Sequence, residues 1–373
     1  MDMKNLEDAE RLMRKVIDWQ RQRGEDDAII SASLNNLALT YQRNGKYDEA
    51  IKTYKESFEL MKRYDVGNLL GMSSILINLG IWYRESGNLK KSLSFMEEAV
   101  TISRSCYSFS HPSLARDIYQ LSSTYDLLDR KDEAWTLARE ALDIANVSLP
   151  SLHPQLAVHM NQVGRCCLSR GDSNEAIEWY KKSHQLLQQL PSSHTRDDLF
   201  ATTLNGLAFA YQTDGKYDKA IKTYEESLAL KMRCDDENLV EMSTILINLG
   251  SCYRESGKLE KSLTLLEEAV KISRSYYSSS HSFLALAIYH LSSTYYLLDR
   301  KDEACKLARE ALDIANASLP SSHFQLAVYM NHLGDCCRSQ GNYNEAISWH
   351  EIARQLLQQQ DQSPQRNKGI ATS

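Results

Sequence analysis

The stretch YQRNGKYDEAIKTY at Tyr41–Tyr54 returns as YQTDGKYDKAIKTY at Tyr211–Tyr224, an interval of 170 residues. Other segments keep the same interval. SSILINLG at Ser73–Gly80 matches STILINLG at Ser243–Gly250, and LLDRKDEA recurs unchanged at Leu127–Ala134 and Leu297–Ala304. Residues 31–190 are in effect written twice. Self-similarity at a fixed period points to an array of stacked units, none of which can bury its apolar face alone. Each copy is itself periodic at about 42 residues. A small residue (Ala38, Gly80, Ser122, Gly164) precedes Tyr or Cys by three positions (Tyr41, Tyr83, Tyr125, Cys167). A turn follows, then Ala or Ser (Ala50, Ser92, Ala134, Ala176). The second copy repeats the order through Ala208/Tyr211, Gly250/Tyr253, Ser292/Tyr295 and Gly334/Cys337.

Each 42-residue unit carries two helical stripes, such as Leu34, Leu37, Ala38, Tyr41 and then Ile51, Tyr54, Phe58, with Asn44-Gly45-Lys46 between them. Gly45 is suited to the left-handed conformation that ends a helix. Small residues on facing stripes let two antiparallel helices approach closely. These offsets resemble the tetratricopeptide repeat, in the long form found in kinesin light chains and nephrocystin-3-like proteins. LNNLALTY at Leu34–Tyr41, HPSLA at His111–Ala115 and HPQLA at His153–Ala157 look like the kinesin light chain repeat. The resemblance covers about residues 5–360 and implies an all-α fold. That fold is a right-handed α-solenoid of eight tetratricopeptide-like helix pairs with an N-terminal capping helix.

The expected organisation is a capping helix over residues 1–28, a four-repeat block over 29–190, its duplicate over 191–360, and a disordered tail over 361–373. The junction PSSHTRDD at Pro191–Asp198 is the expected bend. Two features depart from the kinesin light chain pattern. No heptad coiled coil precedes the repeats, and Ser282 and Phe324 stand where the first copy has Pro112 and Pro154.

A net charge of −6 with both signs interspersed argues against nucleic acid as the main partner. No run of about 18 apolar residues is present, so no membrane insertion is expected. The opening MDMKNLEDAERLMRKVIDW is charged and amphipathic, unlike a secretory signal. The eight cysteines form no CxxC, and the adjacent pairs Cys166–Cys167 and Cys336–Cys337 point about 100° apart on a helix. They read as small buried side chains, with no metal or other cofactor, in a cytoplasmic protein. No phosphate loop, GxSxG or HExxH occurs, and no enzyme activity is expected. His111, His153, His194, His281 and His323 recur with the repeat, which suits a loop or helix-start hydrogen bond.

The candidate site is the concave side. Positions six, five, two and one before, and one and two after, the reference Tyr or Cys are expected to line it. They supply Asn35, Asn36, Asn78, Asn161, Asn205, Asn248 and Asn331, to which Arg43, Arg84, Arg116, Arg165, Arg254 and Arg338 are added. Asparagine both donates and accepts, so a row of them suits the backbone of an extended peptide. The resemblance implies the same use. The arginines suit carboxylates of an acidic peptide, although Glu85, Glu255, Asp126 and Asp335 share the wall. The expected function is a non-catalytic scaffold or adaptor that binds peptide segments of other proteins. A kinesin-linked cargo adaptor, or a regulatory part of a larger enzyme or signalling protein, is the alternative. Oligomeric state is open.

Overall fold

The computed structural model describes residues 3–43, 46–64, 69–233, 239–276, 281–319 and 323–361. Among them are seventeen α-helices. The chain divides into two compact units, Met1–Leu190 and Pro191–Ser373. In the first unit, α1 (Met3–Gln22) precedes four helix pairs. They are α2/α3 (Asp27–Arg43, Tyr47–Tyr64), α4/α5 (Leu69–Glu85, Leu89–Cys106), α6/α7 (Pro112–Leu127, Lys131–Ser148) and α8/α9 (Pro154–Arg170, Ser173–Gln189). The second unit has α10/α11 (His194–Thr213, Tyr217–Arg233), α12/α13 (Leu239–Glu255, Leu259–Tyr276), α14/α15 (Ser282–Leu297, Lys301–Ser318) and α16/α17 (Phe324–Ser339, Tyr343–Asp361). Beyond Asp361 the tail lies outside the described residues, as does Gly45.

Side-chain size explains how each pair closes. A Cβ added to Gly80 would sit 2.5 Å from Met96 Cγ, and one on Gly250 would sit 2.7 Å from Leu266 Cγ. Gly164 and Gly334 lie as tightly against Tyr180 and His350. Where the small residue is Ser122 or Ser292, the residue sixteen positions on is Ala138 or Ala308, and the serine hydroxyl donates to the Ala134 or Ala304 carbonyl at 2.8 and 2.7 Å. The turn inside the third pair of each unit uses Asp129 and Asp299, both at φ 59°, a left-handed conformation that Asp tolerates better than most side chains.

His111, His153, His281 and His323 cap α6, α8, α14 and α16. Each Nδ1 accepts the backbone N–H two residues on at 3.2–3.3 Å. His194 differs: Ser193 caps α10, and the helix begins inside the segment read as a linker.

Successive pairs also touch. Within each unit the first helices of neighbouring pairs (α2, α4, α6, α8; α10, α12, α14, α16) approach one another, whereas successive second helices come nowhere within 8 Å between Cα atoms. The first helices therefore line the inner, concave side of each unit. The second helices are bridged on the outside by long ion pairs, Arg104–Glu140 at 2.8 Å and its counterpart Arg274–Glu310 at 2.6 Å. At the start, α1 lies on α2. Arg14 donates to the Tyr41 hydroxyl at 2.8 Å, and Glu10 holds Arg14 at 2.9 Å and Lys46 at 2.7 Å.

Candidate functional site

The inner side of the first unit is a polar seam that runs from one first helix to the next. Asn78 on α4 donates to Asn35 Oδ1 on α2 at 3.0 Å. Arg84, nearly two turns further along α4, donates to the Gln120 carbonyl and side-chain oxygen on α6 at 3.2 and 2.9 Å. Arg165 on α8 donates to Ser123 Oγ on α6 at 3.0 Å and to Gln162 Oε1 at 2.6 Å, and its Nε lies 3.4 Å from Asp126 Oδ2. Arg116 reaches Asp117 at 3.4 Å. Asp117 is buried, and desolvation holds its carboxyl above the usual range despite the Ser103 hydroxyl bond at 2.7 Å and Arg116 beside it.

The second unit repeats the seam with different chemistry. Asn248 donates to Asn205 Oδ1 at 3.4 Å, and Arg254 meets His290 Nδ1 at 3.2 Å in place of Gln120. Asn331 Oδ1 lies 3.1 Å from His350 Nδ1, and Arg338 pairs with Asp335 at 2.9 Å. Tyr289, His290, Tyr329 and His332 form an edge-to-face group in which Tyr289 sits 5.1–5.3 Å from the other three rings. Burial pushes His290 down to about 3 and His332 to about 4, so both imidazoles are neutral at neutral pH.

Of the expected site residues, Asn35 bonds with Asn78 and Asn205 with Asn248, while Arg84, Arg116, Arg165, Arg254, Asn331 and Arg338 are engaged by residues outside the expected set. Asn35, Asn78, Arg84, Asn205, Asn248 and Arg254 are half-buried in helix-to-helix hydrogen bonds. Asn36, Arg116, Arg165 and Arg338 are exposed, and Asn161 and Asn331 are half-buried. The side chains of Arg43 and Glu85 lie outside the described residues. One expected position does not line the inner side. In seven of the eight repeats the residue just before the reference Tyr or Cys (Trp82, Thr124, Cys166, Ala210, Cys252, Thr294, Cys336) is buried, and in the first repeat Thr40 is half-buried. Gln120, Gln162, His290 and His332 complete the seam, although none was among the expected site residues. Their signal was the spacing of Asn78, which they share at 42-residue steps within each copy.

The closest approach to a catalytic arrangement is Ser292 Oγ, 2.8 Å from His332 Nε2. Ser292 gives its proton to the Ala304 carbonyl, so His332 must donate to it. The counterpart in the first unit shows the same role without an imidazole: Gln162 Nε2 donates to Ser122 Oγ at 3.1 Å. This histidine is a structural donor. Among the described residues no three His, Cys, Asp or Glu side chains gather as metal ligands, and no helix is long and apolar enough to cross a membrane.

The family model described as tetratricopeptide repeat matches residues 1–63, 71–147, 199–275, 241–317 and 283–359. KINESIN LIGHT CHAIN-RELATED 1 of Arabidopsis thaliana is 21% identical over 240 residues, covering 64% of this chain and 38% of that protein. KINESIN LIGHT CHAIN-RELATED 2 is 24% identical over 201 residues, covering 53% of this chain and 30% of that one. The chain therefore spans only 38% and 30% of the length of these two relatives. Among solved structures, the apo quorum sensor NprR from B. thuringiensis aligns with a TM-score of 0.68 at 15% identity, covering 95% of this chain and 97% of that one. Aspartyl phosphate phosphatase F from Bacillus subtilis gives 0.63 at 14%, covering 95% and 90%. At such identities the likeness is one of fold.

Proposed function

Because this chain belongs to the tetratricopeptide repeat family, we propose that it is a non-catalytic scaffold that holds extended peptide segments of other proteins along the inner sides of its two units. The observation that carries this reading is the polar seam itself. Its hydrogen bonds fix side chains on successive first helices before any partner arrives, so little side-chain freedom is lost on binding. Asn36, Arg116, Arg165 and Arg338 stand exposed along it as the groups a peptide meets first. The free cysteines among the described residues suit a reducing compartment, and we place the function in the cytoplasm.

The test is a peptide-array screen with the intact chain and with an Asn36→Ala, Asn78→Ala, Arg116→Glu variant whose helicity is checked by circular dichroism. Loss of peptide capture with intact helicity supports the reading, and unchanged capture refutes it. The relatives named as kinesin light chain-related favour one sharper version, a kinesin-linked cargo adaptor. Direct binding to a kinesin heavy chain separates the two.

A further inference from the structure

In the first unit a guanidinium from the chain itself occupies the seam between α6 and α8. It belongs to Arg165, held by Ser123, Gln162 and Asp126. The matching place in the second unit, between α14 and α16, keeps the serine as Ser293 but has lost the cation. Asp335 stands for Arg165, Tyr296 for Asp126 and His332 for Gln162. The rings gathered there can receive a cation, and Asp335, one helical turn beyond His332, adds a carboxylate that now meets Arg338 at 2.9 Å and His350 Nε2 at 3.8 Å. The ring of His332 lies 5.1 Å from that of Tyr289 and 6.1 Å from that of Tyr296. Both tyrosines are half-buried, and the Asp335 side chain is 40% exposed. Being neutral, the two half-buried imidazoles add π faces and no opposing charge.

The resident cations nearby are already engaged. Arg254 is bonded to His290 at 3.2 Å and paired with Glu255 at 3.0 Å. Arg338 bridges Asp335 across one turn of exposed helix, where an incoming cation can replace it at little cost.

We propose that the inner side of α14 and α16 binds an arginine side chain of an extended partner segment, stacked on Tyr289, Tyr296 and His332 with its charge against Asp335. Arg165 is the first unit's built-in substitute for that ligand. A planar guanidinium suits both stacking on rings and the fork of a carboxylate better than an ammonium does. The inference rests on reading the inner side as peptide-binding, and it assigns a chemistry to the second unit that the first unit refuses. An acidic segment meets Arg116 and Arg165 in the first unit, but Leu286 and Asp335 in the second.

The probe is N-acetylarginine amide, titrated into the full chain and followed by the NMR signals of the histidine and tyrosine rings. Saturable binding is expected, with N-acetylcitrulline amide, which has the same shape without charge, at least ten-fold weaker. Asp335→Arg installs the first unit's residue and should weaken binding at least ten-fold. Arg165→Asp should open a second site and raise the stoichiometry from one to two. Equal binding of the arginine and citrulline probes overturns the proposal and needs no variant. A stoichiometry that stays at one in Arg165→Asp overturns the role given to Arg165. Extended peptides that bind equally with and without arginine overturn the cation site but leave the peptide-binding reading standing. Binding of the arginine probe when no peptide binds does the reverse.

Discussion

Helices α6 and α14 occupy the same place in the two units and are identical at ten of sixteen positions. The shared residues include the buried set Leu114/Leu284, Ala115/Ala285, Ile118/Ile288, Leu121/Leu291 and Ser122/Ser292. The differing ones include Arg116/Leu286, Gln120/His290 and Asp126/Tyr296, which stand on or beside the inner seam. Helix pairs closed by contacts of 2.5–2.9 Å to a virtual Cβ leave no room for drift. The seam, which needs only some donor facing some acceptor, has changed from amides and charges to rings. Two copies of one framework thus present two chemistries.

The largest effect should come from breaking that framework. Ala134 and Ala304 are fully buried. An aspartate at either site buries a charge with no partner and should cost about 3 kcal/mol or more. In Ala134→Asp, amides of α6–α8 should lose protection from hydrogen exchange while those of α14–α16 keep theirs, and Ala304→Asp should do the opposite. Loss of protection in both units from one substitution would remove the division into two units.

That framework is the part the sequence made legible. Gly80, Gly164, Gly250 and Gly334 mark close approach because only glycine fits, so their offsets announce the helix pairs. The capping histidines are equally plain, since a side chain that bonds its own N+2 amide depends on nothing distant. The inner side was only half legible. A 3.6-residue period says which positions share a stripe, but Trp82 and Cys252 are buried because they pack with residues of the preceding pair. Likewise nothing local to Asn78 reveals that its amide is spent on Asn35, 43 residues away.

A middle-sized effect tests a buried carboxylate that only one unit has. Asp117 sits where the second unit has Ala287. Around it Ser73 and Ser103 bond at 2.7 Å, as Ser243 and Ser273 do at 2.8 Å without any carboxylate. Asp117→Ala should therefore stabilise the first unit by about 1 kcal/mol at pH 7, because it removes a poorly compensated buried charge and leaves no orphaned partner. The pH dependence has a definite sign. Desolvation raises the folded-state pKa of Asp117 above the ordinary aspartate value of 3.8, so the folded form holds the proton more tightly than the unfolded one. That contribution is complete below about 3.8 and is lost as pH rises through the folded pKa. The advantage of Asp117→Ala should be greatest at neutral pH and shrink on acidification, as read from melting temperatures at pH 7 and pH 4. An advantage that grows on acidification would contradict the assignment.

The second unit has its own buried charge. The Lys231 side chain is 2% exposed and is held by Asp198, 37% exposed, and Glu241, 43% exposed. The first unit has Met61, Ala28 and Gly71 at these places. Lys231→Met combined with Asp198→Ala and Glu241→Gly should be neutral or stabilising by up to about 1 kcal/mol, since well-packed apolar residues usually match a buried ion triad. Lys231→Met alone should be worse than the triple, because it leaves two carboxylates without their cation. A triple variant that melts well below the single one would show that the triad does more than fill space.

An effect of similar size concerns a pairing that the two units share. Tyr125 donates to Glu97 Oε1 at 2.5 Å and Tyr295 to Glu267 at 2.7 Å, each across 28 residues from one pair to the next. Tyr253 makes the same bond to Glu225. Where the reference residue is Cys167 or Cys337, the residue 28 positions earlier is Arg139 or Arg309 instead of glutamate. The exchange is chemically consistent. A thiol gives a carboxylate little, whereas Arg139 lies over the Trp135 and Trp179 rings at 5.6 and 5.0 Å, and Arg309 reaches Glu345 at 2.6 Å. Both cysteine positions thus carry arginine 28 residues earlier, whereas glutamate stands there for Tyr125, Tyr253 and Tyr295 but not for Tyr83, which has Lys55, or Tyr211, which has Ser183. A double-mutant cycle of Tyr125→Phe with Glu97→Gln should return a coupling of about 0.5–1.5 kcal/mol, the usual net worth of one hydrogen bond. The same cycle at Tyr295 and Glu267 should agree within about 0.5 kcal/mol, since the geometry is repeated. Arg139→Glu beside Cys167 should give no compensating gain, because the carboxylate finds no phenol there and the stacking on both tryptophans is lost. Zero coupling at Tyr125 would reduce the Tyr–Glu and Cys–Arg alternation to coincidence, and a coupling confined to one unit would mean that the two frameworks differ as well as the two seams.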